Sequence, residues 1–182
     1  MATPLKSVAT VLILMALSAP SAAQAQAFDP VAARLLAAHN RERTLVGAAP
    51  LQWDPFLAAS AATYGPPLAA LGGQLVHSPR ASRPGQRENL WRGTRGAYSP
   101  EQMVGLWAAE KRYFRPGIFP AVTTTGNWMD VSHYTQMIWP TTLRVGCAIY
   151  ATRTTDFLIC RYSPPGNIDG KPVILPRRGE RG

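Results

Sequence analysis

Acidic residues, histidine and cysteine are all scarce in this chain. Ten Asp and Glu face nineteen Lys and Arg, and there are three histidines and two cysteines. The few histidines form no His-Glu-x-x-His pattern, and neither a Gly-x-Ser-x-Gly elbow nor a phosphate-binding glycine loop occurs. Motifs of nucleic-acid recognition are missing as well. Beyond the first apolar run, no segment is long and apolar enough to span a membrane, and no internal repeat is visible. If the two cysteines pair, no thiolate remains as a nucleophile. The absences remove the hydrolase and nucleotide sites that are easiest to read from a sequence.

What is present begins with export. Lys6 is the only charge before Asp29. An apolar run from Val8 to Leu17 follows it, then small residues ending Ala25-Gln26-Ala27. A basic start, a short apolar core and an A-x-A site describe a cleavable signal peptide over residues 1–27. The run is about half the ~20 residues of a membrane span, which disfavours an anchor. Residues 28–175 are then expected to form one ordinary domain, large enough to bury a real core. Residues 176–182 are expected to be a disordered tail. In an oxidising compartment Cys147 and Cys160 are most simply accounted for as one disulfide.

The net charge of +9 is almost all arginine. Arg80, Arg83, Arg87, Arg92 and Arg95 crowd one stretch, opposed only by Glu88. Such a stretch favours anionic partners, among them phospholipid headgroups and acidic glycans, unless it is simply a solvated basic face. Export and the missing motifs argue against nucleic acid.

Local signals place the elements. A helix is expected from Phe28 to Leu45, with Pro30 near its start, and Gly47 breaks it. Asp54 caps a second helix to about Tyr64, with Pro55 at its first position, and Gly65-Pro66-Pro67 ends it. Residues 65–98, rich in Gly, Pro, Ser and Arg, read as loop with a short strand near Leu75. Ser99, Pro100 and Gln102 form a capping box for a helix to about Phe114. A short helix is expected over Val131–Ile138, stopped by Pro140. Two strands, Arg144–Ala151 and Asp156–Tyr162, flank a turn near Thr152–Thr155. Folding them about that turn sets Cys147 opposite Cys160. Helices around late strands, without βαβ alternation, favour an α+β layered domain.

Glu110 is the most informative single residue. At about 100° per residue it shares a helical face with Met103, Trp107 and Phe114. An inward carboxylate needs a partner, because unpaired burial is costly. A structural salt bridge and a cleft carboxylate fit equally well from this helix alone. His39, beside Asn40, reads as a packing residue. His77, His133, Glu88 and Glu110 together would suit a borderline divalent ion such as zinc, or acid–base work on a water. Their spacing by itself is weak evidence.

The motifs say more. Ser132-His133-Tyr134-Thr135-Gln136-Met137-Ile138-Trp139 resembles a signature of the CAP superfamily, the SCP domain of cysteine-rich secretory proteins, antigen 5 and pathogenesis-related proteins. Cys160-Arg161-Tyr162-Ser163-Pro164-Pro165-Gly166-Asn167 resembles its second signature. His39-Asn40-x-x-Arg43, Glu88-Asn89-Leu90, Leu51-x-Trp53-Asp54-x-x-Leu57 and Trp107-x-x-Glu110 also match, in family order. The resemblance implies a three-layer α-β-α sandwich. It implies a cavity where His77, Glu88, Glu110 and His133 converge, the histidines binding zinc or another divalent cation in some members and the glutamates close behind. It departs from the family in Ser132 and Arg87, where glycine is usual. Arg87 beside Glu88 is expected to pair with that carboxylate and weaken metal affinity. With one disulfide and no cysteine-rich extension, channel-blocking activity is not expected. The alanine- and arginine-rich composition has a bacterial look.

Three functions are open at this point. The first is a secreted binding module for a sterol, fatty acid or other small ligand, with Ile118, Phe119, Ala121 and Val122 of the 116–126 loop offering an apolar surface. The second is a metal-dependent, protease-like hydrolase, although no dedicated nucleophile is readable. The third is an interaction protein docking on anionic membrane through its arginines.

Overall fold

The structure, a computed structural model, describes residues 29–174. The signal peptide and tail expected from the sequence lie outside the described residues.

Helix α1 (Pro30–Leu45) begins where Asp29 accepts a bond from the Val31 N–H. Its buried face carries Ala32, Leu35, Ala38, His39 and Arg43. Strand β1 (Gln52–Trp53) is two residues long. Helix α2 (Pro55–Ala62) is capped by Asp54, whose side chain accepts from the Phe56 and Leu57 N–H groups. Gly65-Pro66-Pro67 does not lead into loop. It opens a further helix, α3 (Gly65–Ala70), because proline is tolerated in a first turn whose N–H groups are unpaired anyway. No strand forms near Leu75. The strand of this region is instead β2 (Arg87–Thr94). Helix α4 (Pro100–Ala108) has the expected capping box on Ser99 and Gln102. It tightens into a 3-10 turn over Ala109–Tyr113 rather than continuing as α-helix to Phe114. Another 3-10 turn, Trp128–Val131, leads into α5 (Ser132–Ile138). Strands β3 (Arg144–Ala151) and β4 (Thr155–Ser163) form the hairpin.

The sheet order is β1-β3-β4-β2. β1 runs parallel to β3, and the other pairs are antiparallel. Helices α1, α4 and α5 pack together on one face, and α2 and α3 cover the other. This is the three-layer α-β-α sandwich. Strand β4 is buried from Asp156 to Tyr162, as a central strand covered on both faces should be. Its alternation sorts the two cores. Leu158, Cys160 and Tyr162 face the larger core with Leu35, Met103, Trp107 and Met137. Phe157 and Ile159 face the smaller one with Ala61, Leu68 and Leu90. Cys147 and Cys160 are directly opposed in the hairpin and joined by a disulfide.

The 116–126 loop turns inward. Phe119 and Val122 are buried in the large core, and only Ile118 among its large apolar residues is exposed. That loop therefore offers little apolar surface to a ligand.

Candidate functional site

The site lies at the free edge of β2. A cavity of about 460 Å³ opens there, with His77, Glu88 and His133 in its lining. Glu110 is not part of the lining but is bonded to His133 from behind. The four residues form two imidazole–carboxylate pairs.

In the first pair, His77 Nδ1 lies 3.0 Å from Glu88 Oε1. Glu88 is buried, His77 half exposed. The carboxylate also accepts from the Ser78 N–H at 2.9 Å and the Ser78 hydroxyl at 2.8 Å. Arg161 Nε stands 3.4 Å from Oε2, within ion-pair range but without hydrogen-bond alignment, and Arg83 Nε is 4.0 Å from Oε1. Burial alone would push the Glu88 carboxyl up. The bonds from His77 and Ser78, with the charge of Arg83, outweigh it and hold the group below its ordinary value. Arg87 plays no part in this. As the next residue along the strand it points to the other face, and it donates to the carbonyls of Gly166 and Asn167. The expected Arg87–Glu88 pairing does not occur; Arg83 and Arg161 take that role.

In the second pair, His133 Nδ1 lies 2.6 Å from Glu110 Oε1. Glu110 Oε2 accepts from the N–H groups of His133 and Tyr134, each at 3.0 Å, so the carboxylate also caps the start of α5. Glu110 sits in the first turn of the 3-10 segment that follows α4. Trp107, at the end of α4 and three residues before Glu110, meets the same ring, stacking on His133 at 5.9 Å and 8° between planes.

Both carboxylates engage Nδ1. In the neutral ring with its proton there, Nε2 keeps its lone pair, and no described residue bonds either Nε2. A carboxylate behind an imidazole is the usual support of a metal-ligating histidine. The two pairs approach from opposite sides of β2. Glu88 sits opposite Arg161, on the α2 side, whereas Asn89 bonds the His133 carbonyl on the α5 side. Among the described residues no group of three or more His, Cys, Asp or Glu is placed to hold a metal ion. Two imidazoles with open Nε2 atoms are donors whose chemistry suits a divalent ion completed by water. They do not fit a closed four-ligand site.

The remaining motif residues hold the site in place. Arg43 donates to the carbonyls of Ala49, Met137, Trp139 and Thr142. Asn40 clamps both backbone groups of Leu51. His39 is fully buried between the Leu35 carbonyl and the Tyr162 hydroxyl, each at 2.8 Å, and burial lowers its pKa to about 4. A carbonyl can only accept, so Nδ1 carries the proton and Nε2 accepts from Tyr162. Asn89 donates to Tyr162 and to the His133 carbonyl, linking this network to the site.

Sequence reasoning overlooked two contributors to the cavity. Leu75, Trp128 and Met129 line it and are 43%, 42% and 60% exposed. Arg80, Arg83 and Arg87 line it too. The arginine stretch divides here, since Arg92 and Arg95 lie toward the far end of β2, with Arg95 bonded to the Thr152 carbonyl.

This layered fold, with a histidine–carboxylate cavity at the sheet edge, defines a class. The chain matches the cysteine-rich secretory protein family, CAP, over residues 36–162, and it belongs to that family. It is 36% identical over 166 residues to pathogenesis-related protein 1C of Nicotiana tabacum, covering 90% of each chain. Among solved structures it resembles Na-ASP-1, with a TM-score of 0.65, 27% identity and coverage of 80% of this chain and 41% of that one. The chain thus spans less than half of Na-ASP-1. It also shares the fold of NaASP2 crystallised with zinc, at a TM-score of 0.67 and 22% identity over 82% and 88% of the two chains. The relatives reached by sequence include plant and nematode proteins, so the bacterial look of the composition is not borne out.

Proposed function

We propose that this is an exported binding module whose cavity takes a small ligand with an apolar part, of the sterol or fatty-acid kind, beside a divalent cation held by His77 and His133. The observation that carries the reading is the pairing of each cavity imidazole with a carboxylate through Nδ1, which leaves both Nε2 atoms without partners among the described residues. The exposed Leu75, Trp128 and Met129 supply the apolar wall. A zinc ion bound there would act as a Lewis acid toward a ligand oxygen. The family of secretory proteins and the signal-peptide pattern support export to the extracellular side.

Binding is favoured over hydrolysis by the state of the carboxylates. Glu88 and Glu110 already accept bonds on both oxygens, and Glu88 is held acidic. Such groups orient imidazoles better than they take protons from water.

Two measurements test this reading. Elemental analysis of protein purified without chelator, followed by zinc titration, should show about one ion per chain, lost in His77→Ala and in His133→Ala. A fluorescent sterol and a fluorescent fatty acid should bind saturably, with Trp128→Ala weakening the tighter of the two. Unchanged zinc uptake in both histidine variants would remove the cation. The lack of saturable lipid binding would remove the ligand class.

A further inference from the structure

Arg80, Arg83 and Arg87 come from the 3-10 turn Arg80–Ser82, the turn after it and the start of β2, and all three line the same cavity. What holds them is unusual for arginines kept so close together. Arg83 is buried to 7% exposure and donates to the carbonyls of Ser78 and Gln86 at 3.1 and 3.2 Å. Arg87 donates to the carbonyls of Gly166 and Asn167. The Arg80 guanidinium has no hydrogen-bond or ion-pair partner among the described residues; only its backbone carbonyl is engaged, by the Arg83 N–H. Backbone carbonyls orient guanidinium groups without cancelling their charge. Among the described residues the one carboxylate at ion-pair distance from any of the three is Glu88, at 4.0 Å from Arg83, and it is shared with the buried Arg161. The repulsion is felt within the cluster: burial and the charges of Arg80 and Arg83 lower the Arg87 pKa, and Asp169 offsets this only in part.

We infer that Arg80, Arg83 and Arg87 form an oxyanion subsite at the cavity wall, so that the ligand taken there bears a phosphate, sulfate or carboxylate group. The inference rests on the small-ligand reading above and adds its charge. Guanidinium groups recognise oxyanions through paired, charge-assisted hydrogen bonds. A bound oxyanion would also relieve the repulsion among the three cations. The apolar residues Leu75, Trp128 and Met129 in the same lining can receive the remainder of an amphiphile. The subsite is separate from Arg92 and Arg95, so a diffuse basic surface along β2 would behave differently.

Isothermal titration of the full chain tests this with three probes: inorganic phosphate and, each below its micellar concentration, monododecyl phosphate and uncharged dodecyl maltoside. Monododecyl phosphate should bind roughly tenfold tighter than dodecyl maltoside, about the worth of one charge-assisted bond. Arg80→Gln/Arg87→Gln should remove that advantage and leave dodecyl maltoside unchanged; Arg83 is spared because it is buried. Arg92→Gln/Arg95→Gln should change nothing. Arginine-dependent binding of inorganic phosphate as tight as that of monododecyl phosphate assigns the subsite to free phosphate; weaker binding assigns it to a headgroup. Equal affinity for charged and uncharged dodecyl probes overturns the subsite alone and leaves the cavity reading standing. Equal losses from the two double variants also overturn it, in favour of a diffuse basic face. Failure of all three probes overturns both readings.

Discussion

Arg43 carries a charge into the core with no carboxylate beside it among the described residues. Four backbone carbonyls replace the carboxylate, two of them, Met137 and Trp139, at the unpaired end of α5. The residue is therefore a helix cap supplied from another element. The neighbouring His39 shows the opposite solution, remaining neutral because its buried ring has one donor and one acceptor to satisfy. That neutrality has a pH signature. The unfolded chain takes up a proton at His39 below about pH 6.5, whereas the folded chain resists until about pH 4. The unfolded state binds more protons in between, so stability should fall as pH drops through that window, by up to ~3 kcal/mol. Glu88 and Glu101, whose pKa values are lowered in the fold, add to the loss further down, below pH 4.5. Urea unfolding at pH 7, 6 and 5 measures the His39 contribution. A midpoint that does not move between pH 7 and 5 would contradict it.

At the scale of elements, helix starts were the easiest to read. Asp54 with Pro55, and Ser99 with Gln102, act through bonds within four residues, so local sequence contains the whole interaction. Strand β2 was the hardest. Its residues Arg87, Glu88, Asn89 and Arg92 lack an apolar alternation, and Glu88 and Asn89 are buried because Ser78, His77, Tyr162 and the His133 carbonyl come to meet them. Those partners are between 10 and 73 positions away. The two signature segments show the same dependence on distance. Gln136 accepts from the Gly166 N–H, and Thr135 donates to Asn167, which holds a left-handed φ of 51°. Gly146 marks a close approach of two elements. A Cβ there would overlap the backbone of Ala58 and Asp54, where α2 lies directly on β3. Gly146→Ala should force α2 off the sheet and cost ~3 kcal/mol, the upper end for overpacking. Denaturant unfolding reads this directly, and an unchanged midpoint would show that α2 shifts freely.

Across the whole molecule, the disulfide crosslinks the central hairpin on the side of the larger core. It closes a loop with a sequence separation of 13, for which chain entropy gives ~3 kcal/mol. Cys147→Ala/Cys160→Ala should lose about that much stability while leaving the proposed ligand and zinc binding as they are in the parent chain, since neither cysteine lines the cavity. Thermal unfolding together with zinc titration separates the two effects; loss of binding in a folded variant would tie the hairpin to the site. The charge is also arranged at this scale. One run of five arginines becomes two groups, three of them on the cavity and two at the other end of β2.

Sequence by itself determined the helix caps, the register of the β3–β4 hairpin, the pairing of its cysteines and the family motifs. Each rests on short-range chemistry or on residue identity. The placement of Glu110 was half legible: its inward face followed from helical period, but its partner did not. Only the tertiary structure decided which carboxylate serves which histidine, that Arg87 turns away from Glu88, and that three arginines share a wall with an apolar patch. Those outcomes depend on which face of an edge strand each side chain occupies, and on what distant segments bring to that face. That edge was absent from a reading in which β2 was loop.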